Sequence, residues 1–121
     1  MFDFHDHSHN LTDLINKIPT YENSEEIADI LSVLSDPTRI RILWLLCHTT
    51  ECVTNIGSAI GMSAPAVSHH LKLLKSHKII TSKKSGKEML YTLSDNKYAQ
   101  LIHQMIDNML ETTCPNKEQN E

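Results

Sequence analysis

The chain of 121 residues has material for one domain with one modest hydrophobic core. No apolar run approaches the ~20 residues that a membrane span needs, and the acidic, His-rich start differs from a secretory signal, which is basic and then apolar. Three cysteines at wide spacing make a poor disulfide framework. We therefore expect a cytoplasmic protein with free thiols and no membrane contact.

The formal net charge of −4 hides an uneven distribution along the chain. Residues 39–87 hold eight of the eleven Lys and Arg residues and a single acid, Glu51, for a local net charge of +7, whereas the segments on either side are acidic. A basic centre can bind phosphate locally whatever the total charge is. The alternative is an ordinary solvated lysine face, which charge alone does not exclude.

Apolar spacing and helix caps in the first half of the chain predict three short helices. The first covers residues 11–18 and ends at Pro19. Asn23 is expected to cap the second, and Asp36 the third, which begins at Pro37 and ends near His48. The side chains expected to be buried are Ile27, Ile30, Leu31 and Leu34 of the second helix and Ile40, Leu43, Leu46 and Cys47 of the third.

The stretch from Val53 to Ser76 predicts a helix-turn-helix. A helix over residues 53–60 is followed by Gly61, which suits a left-handed helix exit, and Ser63 is expected to cap a helix that ends near Ser76. The second helix has an apolar face and an outer face that is small, polar and then cationic, which suits entry into the DNA major groove. Its candidate DNA contacts are Ser63, Ala64, Ala66, Ser68, His69, His70 and Lys72.

The sequence after this helix predicts two strands, Ile79–Lys83 and Glu88–Leu93, around a turn at Ser85-Gly86. This hairpin is expected to be a wing that contacts DNA phosphates through Lys83, Lys84 and Lys87. Asp95 is expected to cap a last helix ending near Thr112, whose wide apolar surface suggests a partner helix.

The predicted fold is therefore mainly α with a small β-hairpin, a winged helix-turn-helix. Residues 1–10 are expected to form a flexible His-rich arm, residues 11–112 the DNA-binding and dimerisation domain, and residues 113–121 a polar tail.

Three segments together resemble the ArsR/SmtB family of dimeric metal-sensing repressors: LSDPTRIRIL (34–43), SAPAVSHHLKLLK (63–75) and KKSGKEMLYTL (83–93). The resemblance covers roughly residues 25–112. It implies a homodimer built from the first and last helices that binds an inverted repeat in double-stranded operator DNA. It also implies release of that DNA when an inducer, commonly a metal ion, binds.

The family's first metal site uses a Cys-Val-Cys element together with ligands from the N-terminal arm of the other subunit. Here the element is Cys52-Val53-Thr54, so one of the two thiolates is missing. The arm offers His5, His7 and His9, and imidazole with thiolate suits Zn²⁺, with Cd²⁺, Co²⁺ or Ni²⁺ as alternatives. The metal ligands expected from this resemblance are His5, His7, His9 and Cys52.

The family's second metal site lies on the last helix, and the matching positions here are Asp95, Lys97, Asn108 and Glu111. Two of the four ligands are replaced, and Lys97 would repel a cation, so this site is not expected to function. His103, Asp107 and Glu111 share one helix face at i, i+4 and i+8, either as a solvated polar face or as part of a second site.

Two other functions stay open at the level of sequence. A repressor of the same fold would sense a thiol oxidant or another non-metal signal through Cys47, Cys52 or Cys114, and an interaction module would bind no DNA at all. An enzyme is not expected, because the sequence has no nucleophile elbow, phosphate loop or HExxH element.

Overall fold

The computed structural model describes residues 10–113. The chain divides into two compact units between residues 31 and 32. The described range contains, in order, α1 (Leu11–Ile15), α2 (Tyr21–Leu34), α3 (Pro37–His48), β1 (Glu51–Cys52), α4 (Val53–Ile60), α5 (Ala64–Ser76), β2 (Ile80–Ser85), β3 (Glu88–Leu93) and α6 (Lys97–Thr113). None of these helices is both long and apolar enough to cross a membrane.

The first unit contains α1 and most of α2, and both helices differ from their predicted bounds. Helix α1 ends at Ile15 rather than residue 18, because the next backbone N–H groups donate to carbonyls three residues back in a tighter turn. Helix α2 begins at Tyr21, and its cap is the hydroxyl of Thr20, which accepts a 3.2 Å hydrogen bond from the Asn23 N–H. The prediction of Asn23 as the cap was wrong.

Two side chains of α2 that were predicted to be buried are half exposed in the single chain. Ile27 is 48% and Leu31 51% exposed, whereas Leu34, at the end of the helix, is buried. The predicted buried face of α2 is therefore only partly buried.

The core of the second unit is built around α3. Asp36 caps this helix as predicted and accepts a 3.0 Å hydrogen bond from the Arg39 N–H, which lowers the pKa of the Asp36 carboxyl. The buried face is rotated from the predicted one, since Ile40 is 37% exposed and Cys47 half-buried. Ile42 replaces them in the core because the inward face is the one that packs on α4, α5, α6 and β3.

A three-stranded antiparallel sheet with strand order β1-β3-β2 completes this unit. The predicted hairpin is present, with Ile80 opposite Leu93 and Gly86 at a φ of 64° in the turn. Strand β1 was not predicted, because two residues are too few to show an alternating pattern; Cys52 in it pairs with Leu90. Strand β2 is also displaced toward the turn from its predicted bounds.

Helix α6 begins at Lys97 with Asn96 as its cap, in place of the predicted Asp95. The Asn96 side chain accepts a 2.8 Å hydrogen bond from the Ala99 N–H and donates a 2.9 Å bond to the Lys78 carbonyl. One face of α6 lies in the core through Ala99, Ile102 and Ile106, and a second apolar face stays exposed through Tyr98, Leu101 and Met105.

Candidate functional site

The turn between α4 and α5 sets the position of the helix predicted to read DNA. Gly61 has a φ of 83°, and the backbone N–H groups of Gly61 and Met62 both donate to the Gly57 carbonyl, at 2.8 and 2.9 Å. Ser63 then caps α5 by accepting a 3.4 Å hydrogen bond from the Ala66 N–H. Local backbone bonding therefore fixes the exit of α4 and the start of α5 in the predicted places.

Helix α5 buries one face and presents the other to solvent. Val67, Leu71 and Leu74 are at most 1% exposed and anchor the helix to the core. The predicted contact residues on the opposite face are exposed, namely Ser63, Ala64, Ser68, His69 and Lys72, with Ala66 half-buried. The exposed face carries donors, acceptors and a cation without bulky apolar side chains, which is what readout of base edges requires.

His70 differs from the other predicted contacts. Its ring is half-buried, and its Nδ1 lies 3.2 Å from the Nη1 of Arg39 in α3. Arg39 also donates a 2.6 Å hydrogen bond to the Val33 carbonyl, so its guanidinium connects the end of α2 to α5. The structure thus places His70 in a contact between α3 and α5, and its partner Arg39 was not among the predicted site residues.

The wing carries three exposed cations. Lys83 and Lys84 lie in β2, and Lys87 follows Gly86 in the turn. The described chain gives them no salt bridge, so their charges are available to an anionic partner.

The predicted metal ligands are only partly described. Cys52 is buried and precedes α4 as its N-cap residue, without a side-chain cap bond. Within residues 10–113, Cys52 belongs to no group of three potential ligands. His5, His7 and His9 lie outside the described residues, as does Cys114.

Helix α6 contributes two potential metal ligands to a group that differs from the family's second site. His103 Nε2 and Asp107 Oδ2 are 3.2 Å apart, and their third neighbour is His48, the last residue of α3. Their ligand atoms lie within 4.8 Å of one another, whereas Glu111 is not part of the group. The sequence singled out His103 and Asp107 but missed His48, because the packing of α3 on α6 is not visible in a local pattern.

Cys47 lies next to His48 in the chain and is a weakly acidic thiol. Burial, and secondarily the Asp107 carboxylate, raise its pKa to about 11. The thiolate is the reactive form of cysteine, so Cys47 is poorly suited to sensing oxidants near neutral pH.

Comparisons with known proteins agree with the helix-turn-helix and wing described above. A family described as bacterial regulatory protein, arsR family, matches residues 36–82, from the cap of α3 into β2. The arsenical resistance operon repressor of Staphylococcus xylosus is 35% identical over 83 residues, which cover 69% of this chain and 79% of that protein. A homologue of the cadmium resistance transcriptional regulatory protein CadC from Staphylococcus aureus is 37% identical over 82 residues, covering 67% and 68%.

A solved structure supports the fold. The homodimeric winged helix-turn-helix DNA-binding domain of a possible ArsR-family regulator from Mycobacterium bovis superposes with a TM-score of 0.65 at 23% identity, covering 92% of both chains. The predicted winged helix-turn-helix is confirmed, and the relatives are transcriptional regulators rather than enzymes. The chain belongs to the ArsR/SmtB family of bacterial transcriptional regulators.

Proposed function

We propose that the protein is a repressor that binds operator DNA as a homodimer through α5 and the wing, and that a divalent transition-metal ion releases it. The observation that carries the DNA-binding part is the exposed outer face of α5. Its apolar face is anchored in the core, so Ser68, His69 and Lys72 point away from the protein on a rigid helix. The wing lysines extend the same basic segment of the chain.

The two parts of this surface have different roles in the proposal. The side chains of α5 read base edges and supply sequence preference, worth about 1–3 kcal/mol for each good pair. Lys83, Lys84 and Lys87 bind phosphates and supply affinity that depends on salt but not on sequence.

Dimerisation is supported by exposed apolar surface on α6. Leu101 is 61% and Tyr98 46% exposed, although the opposite face of the same helix already lies in the core. In the proposed homodimer, the same helix of a second copy of the chain covers this exposed face. A two-fold axis would then place two α5 helices on half-sites about one helical turn apart.

The DNA part is tested by fluorescence anisotropy on a duplex selected from a random-sequence library. Replacing Lys83, Lys84 and Lys87 with Gln should lower the slope of log K against log salt by up to about 0.9 per lost phosphate contact, while the selected sequence stays the same. His69→Ala should instead relax the preference at one position. Lys97→Gln, an exposed cation at the start of α6, is the control. No salt-dependent binding to any duplex would refute the proposal.

The metal part is supported by the relatives, whose names refer to arsenical and cadmium resistance. In this chain His5, His7, His9 and Cys52 would hold the ion. The described member of the set suits a borderline-soft metal, because cysteine sulfur together with imidazole nitrogen is a normal donor set for Zn²⁺-class ions, and Cys52 directly precedes α4. A bound Zn²⁺-class ion would join the Cys52 sulfur to the imidazoles of the arm.

Operator DNA is released if the metal-bound dimer has a lower affinity for it than the metal-free dimer has. Thermodynamic linkage then requires operator DNA to weaken metal binding by the same factor. Titration of Zn²⁺ into the protein–duplex complex should lower the anisotropy, and Cys52→Ser should abolish that response. Dissociation that persists unchanged in Cys52→Ser would overturn the assignment of this ligand.

A further inference from the structure

We propose that His48, His103 and Asp107 form a second metal site, which binds a divalent transition ion such as Zn²⁺, Co²⁺ or Ni²⁺ and joins the end of α3 to α6. The three side chains supply two imidazole nitrogens and one carboxylate oxygen. This donor set suits borderline ions and differs from the all-oxygen sets that Mg²⁺ and Ca²⁺ prefer. The site shares no residue with the proposed arm site.

The spacing of the ligand atoms fits a metal ion. Two ligands that bind Zn²⁺ at about 2.0–2.1 Å in tetrahedral geometry are roughly 3.3 Å apart. His103 Nε2 and Asp107 Oδ2 are 3.2 Å apart, and all three ligand atoms lie within 4.8 Å of one another. The three ligand atoms are therefore already close to the spacing that a bound ion requires.

The state of the His103 nitrogen points to a missing partner. Nε2 of His103 is shielded from solvent and, within the described residues, makes no hydrogen bond. The neighbouring Asp107 oxygen is close enough for an ion pair, but its direction does not satisfy a hydrogen bond. A shielded nitrogen without a hydrogen bond carries a desolvation cost that a metal ion between it and the carboxylate would offset.

The two helices hold the ligands in place before any ion binds. His103 and Asp107 are one turn apart on α6, and the i, i+4 spacing is one that protein helices use to chelate zinc. On α3, the His48 ring packs on Trp44, with ring centroids 4.5 Å apart, and meets the His103 ring edge-on at 5.5 Å. Fixed rings reduce the conformational entropy lost on binding. A water molecule would complete the tetrahedron.

The site lies on a helix that packs against both helices of the helix-turn-helix. α3 contacts α4, α5 and α6, and only the short segment containing β1 separates His48 from α4. An ion joining α3 to α6 would link the proposed dimer helix to the helix-turn-helix. That regulatory consequence rests on the proposed function, whereas the metal site itself does not.

Trp44 provides a specific test, because it is the single tryptophan of the chain and its ring contacts His48. In a variant with His5, His7 and His9 changed to Ala and Cys52 to Ser, Co²⁺ should quench Trp44 fluorescence in a saturable manner. The same titration should give visible Co²⁺ absorption bands without a thiolate charge-transfer band. Zn²⁺ should restore the fluorescence by competition, and millimolar Mg²⁺ should not.

In this background His48→Gln, His103→Gln and Asp107→Asn should each weaken Co²⁺ binding at least tenfold, since the loss of even an outer-shell partner typically costs about 10–100-fold. Glu111→Gln, an exposed carboxylate one turn further along α6, is the matched control and should bind as the background does. Circular dichroism verifies that each variant folds. His48 and Asp107 are exposed, so their replacement should not disturb the core.

Absence of saturable quenching in the background variant, or unchanged affinity in the His48 and Asp107 variants, would overturn the site. Operator binding gives the independent check on the proposed function. If Co²⁺ binds this site while no metal ion releases operator DNA from the wild-type protein, the site stands and the proposed metal response fails.

Discussion

Gly57 lies where α4 meets the turn that leads into α5, and its replacement by Ala tests how this turn is packed. In an ordinary helix interior the change from Gly to Ala stabilises by up to about 1 kcal/mol. Here an added β-carbon would stand 2.7 Å from the Met62 carbonyl oxygen and 3.7 Å from a methyl of Val67. We expect the steric cost to exceed the gain in helix propensity.

The size of the effect follows from what has to move. The Met62 carbonyl belongs to the backbone of the tight turn, and the Met62 N–H donates back to Gly57, so the oxygen cannot retreat without loosening that hydrogen bond. Overpacking of this kind typically costs about 1–3 kcal/mol, against a propensity gain of up to about 1 kcal/mol. We expect Gly57→Ala to lower the free energy of unfolding by roughly 1–2 kcal/mol, equivalent to about 5–10 °C in Tm for a domain of this size.

The assay is thermal and urea unfolding at one fixed protein concentration, because dimerisation makes Tm depend on concentration. Ser58→Ala is the matched control: it is an exposed neighbour on the same helix and should change stability by only a few tenths of a kcal/mol. DNA affinity should also fall in Gly57→Ala, since the turn orients α5. An Ala variant as stable as the wild type would refute the assigned packing of this turn.

The remaining predictions concern one thiol and the junction between α5 and α6. Cys47 should be alkylated slowly near neutral pH, because its pKa is raised from 9.0 to about 11. In a variant without the other two cysteines, the rate of alkylation by iodoacetamide should still rise steeply above pH 9. A rate that levels off at pH 9 would contradict the raised pKa. Asn96→Ala should lower the free energy of unfolding by about 1–2 kcal/mol through loss of the α6 cap and the bond to Lys78. Asn96→Asp keeps the capping oxygen and should lose less of the free energy of unfolding. If urea unfolding gave the same loss for both variants, the cap would contribute nothing. Lys78→Gly should stabilise by about 1 kcal/mol, since Lys78 has a φ of 61°. A Gly variant no more stable than Lys78→Ala, the control for lost charge, would contradict that reasoning.

The features that depend on neighbouring residues were predictable from the sequence. The cap at Asp36, the left-handed glycine at Gly61, the cap at Ser63 and the turn at Gly86 all occur at the predicted positions. Each involves groups within about four residues of one another, so the local sequence contains the information. The apolar face of α5 was also correct, because a helix period over thirteen residues is a strong signal.

The errors at helix starts have a local cause too. Thr20 and Asn96 cap α2 and α6, where Asn23 and Asp95 were predicted. Several capping residues stand close together at each place, and their intrinsic preferences are too similar for the sequence to select one.

Contacts between surfaces and side chains that are distant in the chain became visible in the three-dimensional structure alone. The sequence was enough to predict the family, the helix-turn-helix and the basic segment that contains it. It could not show that β1 pairs with β3, that Arg39 contacts His70, or that His48 approaches His103 and Asp107. These contacts join residues far apart in the chain, and they depend on how α3 is rotated against its neighbours, which its all-round apolar pattern left undetermined.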